Sequence, residues 1–245
     1  MNLPKLAITI DVEGKMKTRE YNTMYRLDEF LESITSPTTL FVTPGAANNN
    51  NNLVEKWRDN GHEIGLHIHP ERFQGCNSGF LMEYPNTRIA DFLNDGKQGL
   101  SEIIGTYPKS FRAGRWSYSP RLLELLGDAD FKIDSSLRPE QTVPIFEGFG
   151  VREIPLTVYS NELVSMLLRG KDVNSIPFAL DALLKSGFRA IGIYFLTLFA
   201  LSSNPPYLMV ALHDYDLENS RLKNRIIRFV NVLSGMTNPV TISEI

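Results

Sequence analysis

Cysteine is almost absent from this chain of 245 residues: Cys76 is the only one. No intrachain disulfide can form, and a chain of this length can bury enough apolar surface to fold without one. Cys76 lies in Gln74-Gly75-Cys76-Asn77-Ser78-Gly79, a turn-rich stretch without a partner base, and reads as a loop residue rather than a nucleophile. No excess of one charge stands out either: 25 basic against 28 acidic residues leave a formal net charge of −3. The Lys and Arg residues are dispersed, which argues against nucleic acid as a partner. No apolar run approaches the roughly 20 residues of a membrane-spanning helix. The longest, residues 190–201 (AIGIYFLTLFAL), reads as a buried strand or core helix. The start of the chain has no basic, apolar and small-residue pattern of a secretory signal, so the expected location is the cytoplasm. Neither a linker rich in Pro, Gly and Ser nor an internal repeat divides the sequence, and one domain is expected over residues 1–245.

What is present is alternation. Strand-like runs occur at residues 6–10, 38–42, 63–67, 110–112, 131–133, 151–154 and 208–212. Amphipathic stretches lie between them at 26–34, 53–59, 99–104 and 120–126, a pattern of parallel βαβ units. The five asparagines Asn48 to Asn52 read as a solvated loop ending in a helix N-cap. Several strand runs end in a charged or imidazole residue: Asp11, His67, Arg112, Asp134 and His213. In a β/α barrel the strand C-termini converge on one face, so these ends point to one shared site.

The chain has four histidines, and three of them crowd into Gly61-His-Glu-Ile-Gly-Leu-His-Ile-His-Pro70. Imidazole and carboxylate are the usual ligands of zinc and similar ions. On an extended segment His67 and His69 share a face, because strand periodicity is two; after a helical turn Glu71 would join His67 instead. His62 is an odd number of positions from His67 and should face elsewhere. A second source of ligands is Asp11-Val12-Glu13-Gly14, directly after the first strand run. With one residue between them, the two acids can enter the same cleft. Asp214, Tyr215 and Asp216 read as a helix start rather than a second metal site.

In order and spacing, five segments resemble the motifs of the polysaccharide deacetylases, the NodB-like carbohydrate esterase family 4. Ile8-Thr-Ile-Asp-Val-Glu-Gly14 resembles the first motif. Thr39-Leu-Phe-Val-Thr43 followed by Gly61 to His67 resembles the approach to the second. Ser110-Phe-Arg-Ala-Gly-Arg115 is similar to the third, Asp134-Ser-Ser136 to the fourth and Leu212-His213 to the fifth. One departure stands out. The family places two histidines four apart in its second motif, whereas here Glu71 stands four after His67 and His69 stands two after.

The resemblance implies a distorted (β/α)7–8 barrel and a metal-dependent hydrolase that removes an N-acetyl group by way of a metal-activated water. It implies Asp11 as general base, Arg112 as the cation that holds it ionised, and His213 as general acid, with Asp134 placed to keep that imidazole protonated. One divalent ion, zinc or another transition metal, would take Glu13, His67 and His69 as ligands, with Glu71 as the alternative third. Arg115 and Trp116 follow the third motif and are expected to line the substrate groove. The substrate class is an N-acetylated sugar or related amide, nucleotide-linked, lipid-linked or soluble. An apolar lip formed by residues 190–201 would suit the lipid-linked form and place the protein at a membrane surface. Two other readings remain: hydrolysis of a non-sugar amide on the same fold, and a sugar-binding relic that has lost activity.

Overall fold

The computed structural model describes residues 3–14, 16–18, 21–138, 143–159, 176–177 and 205–245. The apolar run 190–201 lies outside them. The strands are β1 (Lys5–Val12), β2 (Met16–Thr18), β3 (Tyr21–Asn22), β4 (Thr39–Val42), β5 (Glu63–Ile68), β6 (Ser110–Ala113), β7 (Ile133–Asp134), β8 (Phe146–Gly148), β9 (Val151–Glu153), β10 (Val158–Tyr159), β11 (Ile176–Pro177), β12 (Tyr207–His213) and β13 (Asn238–Val240). The helices are α1 (Thr23–Glu32), α2 (Pro44–Asn49), α3 (Asn51–Asp59), α4 (Asn86–Ile104), α5 (Pro120–Asp128) and α6 (Ser220–Ser234). The main sheet runs β12-β1-β4-β5-β6-β7-β9-β8, with β13 also paired to β1. From β12 to β9 every pairing is parallel, and β8 closes that edge antiparallel to β9. This is the curled sheet of a distorted β/α barrel. No helix among the described residues is long and apolar enough to cross a membrane.

Strand periodicity divides the core into two. Leu6, Ile8, Ile10 and Val12 of β1, Leu208, Val210 and Leu212 of β12, and Ile64, Leu66 and Ile68 of β5 pack in one apolar cluster with the helices. Their alternates Ala7, Phe41, Tyr207, Met209 and Ala211 form a smaller cluster on the other face of the sheet, inside the curl. Because successive side chains take opposite faces, Asp11, Glu13, His67, His69, Arg112 and His213 all follow the inner series. The register aligns them across strands, with Asp11 opposite His213 and His67 opposite Arg112.

Two expectations change in detail. The asparagine run is no open loop: it ends α2 and begins α3, with Asn50 as the single residue between them. Thr43 caps α2 by accepting from Ala46 N, and Pro44 at the first turn favours the helical start, so helix formation continues into the asparagines. Helix α4 reaches back to Asn86, well before residue 99. Ile89, Phe92, Leu93, Leu100 and Ile104 lie on one buried face, but Gly96 and Lys97 interrupt its apolar pattern.

Candidate active site

The inner-face side chains meet at the C-terminal ends of the strands. Arg112 is wholly buried and donates from Nη1 to Asp11 Oδ1 at 2.8 Å. Its Nε and Nη2 donate to Ser135 O and Ser135 Oγ, each at 3.0 Å. The guanidinium lies between two rings, 4.2 Å from the Phe41 centroid and 4.9 Å from that of Trp116. A buried cation of this kind needs a paired anion and satisfied donors, and it has both. Asp11 Oδ2 lies 4.0 Å from His67 Nε2 and 3.8 Å from His213 Nε2. Burial would raise the Asp11 pKa, but Arg112, and after it His67 and His213, outweigh burial and hold the carboxyl below its ordinary range.

Beside this pair, Glu13, His67 and His69 each offer one donor atom, all within 4.8 Å of one another. His67 Nδ1 is 2.7 Å from the Arg112 carbonyl oxygen, which can only accept, so Nδ1 carries the proton and Nε2 is left with a lone pair. Burial pushes His67 down to about 4, and the ring is neutral at ordinary pH. His69 directs Nε2 to within 3.4 Å of Glu13 Oε1, while its Nδ1 lies 3.2 Å from Glu71 Oε1. Arg72 reaches the other side of Glu13, donating to Oε2 at 2.5 Å and to its carbonyl oxygen at 2.6 Å. One carboxylate and two imidazoles form a donor set suited to zinc and its neighbours. Glu71 sits behind His69, on the side away from Glu13.

His213 projects from the end of β12, stacked on Tyr215 at 4.6 Å between centroids. The carboxylate that meets it is Asp216, 3.5 Å from Nδ1 and accepting from the His213 backbone N–H at 2.8 Å. The expected partner, Asp134, is engaged elsewhere. Its neighbour Ile133 packs in the inner cluster, so Asp134 takes the opposite face of β7. There it accepts from Ser136 Oγ at 2.5 Å and hydrogen-bonds with Glu153, its register partner on β9. Burial pushes Asp134 up to about 6 and Glu153 well above the carboxylate range, so the pair holds a proton. Asp214 turns away from His213: its Oδ2 accepts from Gly14 N at 2.8 Å and Thr23 Oγ1 at 2.6 Å, tying down the loop that carries Glu13. Residues 214–218 form a 3-10 turn, in keeping with a helix start.

Arg115 donates from Nε and Nη2 to Glu71 Oε1 at 3.2 and 3.0 Å, and Trp116 covers Arg112. His62 is remote, beside Trp57 and Asn60 in a cavity near the N-terminal end of β5. Two neighbours of the site, Arg72 and Asp216, were not singled out from the sequence as site residues. Asp216 carried a faint signal, an acid three residues after a strand-end histidine; Arg72 carried none.

The polysaccharide deacetylase family model matches residues 4–133. No curated relative matches the sequence. Among solved structures, a Mycobacterium smegmatis protein described as a polysaccharide deacetylase is 18% identical, with a TM-score of 0.71 over 99% of this chain and 88% of that one. Puue Allantoinase is 14% identical, with a TM-score of 0.65 over 98% of this chain and 88% of its own. The Bc1960 peptidoglycan N-acetylglucosamine deacetylase is 16% identical, with a TM-score of 0.58 over 98% and 86%. These likenesses establish the NodB-type fold.

Proposed function

The chain belongs to the polysaccharide deacetylase family, and on that footing we propose that it removes the acetyl group from an N-acetylated amino sugar or a sugar-containing metabolite, using one divalent ion held by Glu13, His67 and His69. The observation that carries this reading is the meeting of an ionised Asp11, a metal-type donor triad and His213 at one mouth of the barrel. When bound, the ion would supply a Lewis acid for the acetamide carbonyl and a water acidified toward neutrality.

The rest of the chemistry falls to the chain's own groups. Arg112 occupies Asp11 Oδ1, so Oδ2 is the oxygen that takes a proton from the attacking water. His213 Nε2 then gives a proton to the amine nitrogen as the carbon–nitrogen bond breaks, releasing acetate and the free amine. Asp216, 3.5 Å from Nδ1, stabilises the imidazolium that this step needs. The wholly buried Arg112 keeps the base fixed in position, so the base does not reorganise during reaction.

The test is acetate release from soluble, nucleotide-linked and lipid-linked N-acetyl sugars, with metal-stripped and metal-restored protein. We expect release from at least one sugar, restored by the ion. A similar barrel is found in Puue Allantoinase, so a non-sugar amide belongs in the panel. Turnover of that amide alone would replace the sugar reading. No turnover of any member by metal-loaded protein would favour a binding relic.

A further inference from the structure

In the second motif, where the family usually carries a second histidine, this chain has Glu71, and its surroundings are built with unusual care. Glu71 Oε1 lies between His69 Nδ1 on one side and the Arg115 guanidinium on the other. Glycines flank both contacts. A Cβ on Gly114 would stand 2.8 Å from His69 Cε1 and Nδ1, and one on Gly79 would stand 2.1 Å from Arg115 Nε. Arg115 and Trp116 have φ of 57° and 54°, a left-handed pair of non-glycine residues. Two such residues in succession store strain, which persists only where the surroundings over-determine it. Here the strained turn lands one side chain on Glu71 and the next on Arg112.

We propose that Glu71, held by Arg115, is a positioning residue that fixes the His69 ring as its Nδ1–H tautomer and so directs the Nε2 lone pair at the ion. The proposal rests on the metal reading above. Both ring nitrogens face a carboxylate, and a carboxylate can only accept. The hydrogen bond is the one from Nδ1 to Glu71 at 3.2 Å, while Glu13 is engaged by Arg72, so the imidazole proton is placed on Nδ1. The opposite ring nitrogen then faces Glu13 Oε1 at 3.4 Å. Carboxylate partners behind metal-binding histidines do this in many metal sites, and losing one typically costs about 10–100-fold in metal affinity. The Arg115 side chain is half exposed, at 51%, and Glu71 29%, so neither is a core element whose loss should unfold the domain. Arg115 acts one step further out: it orients Glu71 by donating to the same Oε1 that meets His69.

Two measurements test this on the full chain. The first is zinc affinity by chelator competition. Glu71→Ala should lose about 10–100-fold, Glu71→Gln less because its amide oxygen still accepts, and Arg115→Ala less than Glu71→Ala. The second is the imidazole nitrogen spectrum of the metal-free, ¹⁵N-histidine-labelled protein. His69 should report the Nδ1–H tautomer in wild type and a tautomer mixture in Glu71→Ala. Unchanged zinc affinity and an unchanged His69 tautomer in Glu71→Ala would overturn the proposal. So would zinc retained in His69→Ala but abolished in Glu71→Ala, which would make Glu71 a ligand. If wild type binds no zinc, the metal reading fails, while the tautomer spectrum still decides whether Glu71 sets the His69 proton.

Discussion

At the scale of single residues, four of the five polar side chains that end apolar strand runs meet in the candidate site, and Asp134 does not. Asp11, His67, Arg112 and His213 stood out because nothing in a buried parallel strand calls for them. Their partners were not legible, because pairing depends on which face of the sheet a residue takes after the strand ends. Motif position alone points to Asp134 as the partner of His213, whereas a two-residue strand with Ile133 packed inward turns it away. Asp11→Asn keeps the shape of the pair with Arg112 but cannot take a proton. It should retain the metal and lose about 10²–10⁴-fold in turnover, read from acetate release beside metal analysis. Near-normal turnover would remove Asp11 as base. Asp216→Asn should slow amide cleavage more than cleavage of an activated acetate ester, whose leaving group needs little protonation. Equal slowing of both substrates would reduce Asp216 to a structural cap.

At the scale of elements, all seven strand runs were placed to within about two residues, because each is a short apolar burst bounded by turns. The helices were less visible. Helix α4 hides behind Gly96 and Lys97, and α2 and α3 are built partly from asparagine. The pairing of β7 with β9 carries its own consequence for pH. Burial raises Asp134 to about 6 and Glu153 well above its ordinary value. Between the ordinary aspartate range and about 6, the folded protein therefore holds a proton that the unfolded chain has released. Stability from this pair is full at low pH and falls as pH rises through that window. Asp134→Asn removes the ionisable group yet keeps an oxygen for Ser136 Oγ. Relative to wild type, it should gain on the order of 1–3 kcal/mol between pH 4 and pH 7. Denaturant melts across that range would show it; parallel curves for the two proteins would refute the shared proton.

At the scale of the whole molecule, the period-two pattern of the strands does most to make the site. Inner positions near the N-terminal ends of β1 and β12 are apolar, such as Ala7, Tyr207 and Met209, while the same series nearer the C-terminal ends becomes Asp11 and His213. The barrel thus has an apolar floor and a charged mouth. The proposed ion would join the loop after β1, through Glu13, to the end of β5, through His67 and His69, two strands separated by β4. A ligand that binds only the folded state stabilises it by mass action, by about 2.7 kcal/mol at one hundred times its dissociation constant. For a chain of this size that corresponds to roughly 5–11 °C in Tm. Zinc added to chelator-treated wild type should raise Tm by about that amount, and excess chelator should reverse it. Glu13→Ala and His67→Ala should melt at one temperature with or without zinc, because each removes a ligand and leaves two. Asp214→Asn probes the frame instead: it weakens the tie to Gly14 and Thr23, so the metal-free protein should itself melt lower while still responding to zinc. An identical zinc shift in His67→Ala and wild type would place the stabilising ion somewhere other than this mouth of the barrel.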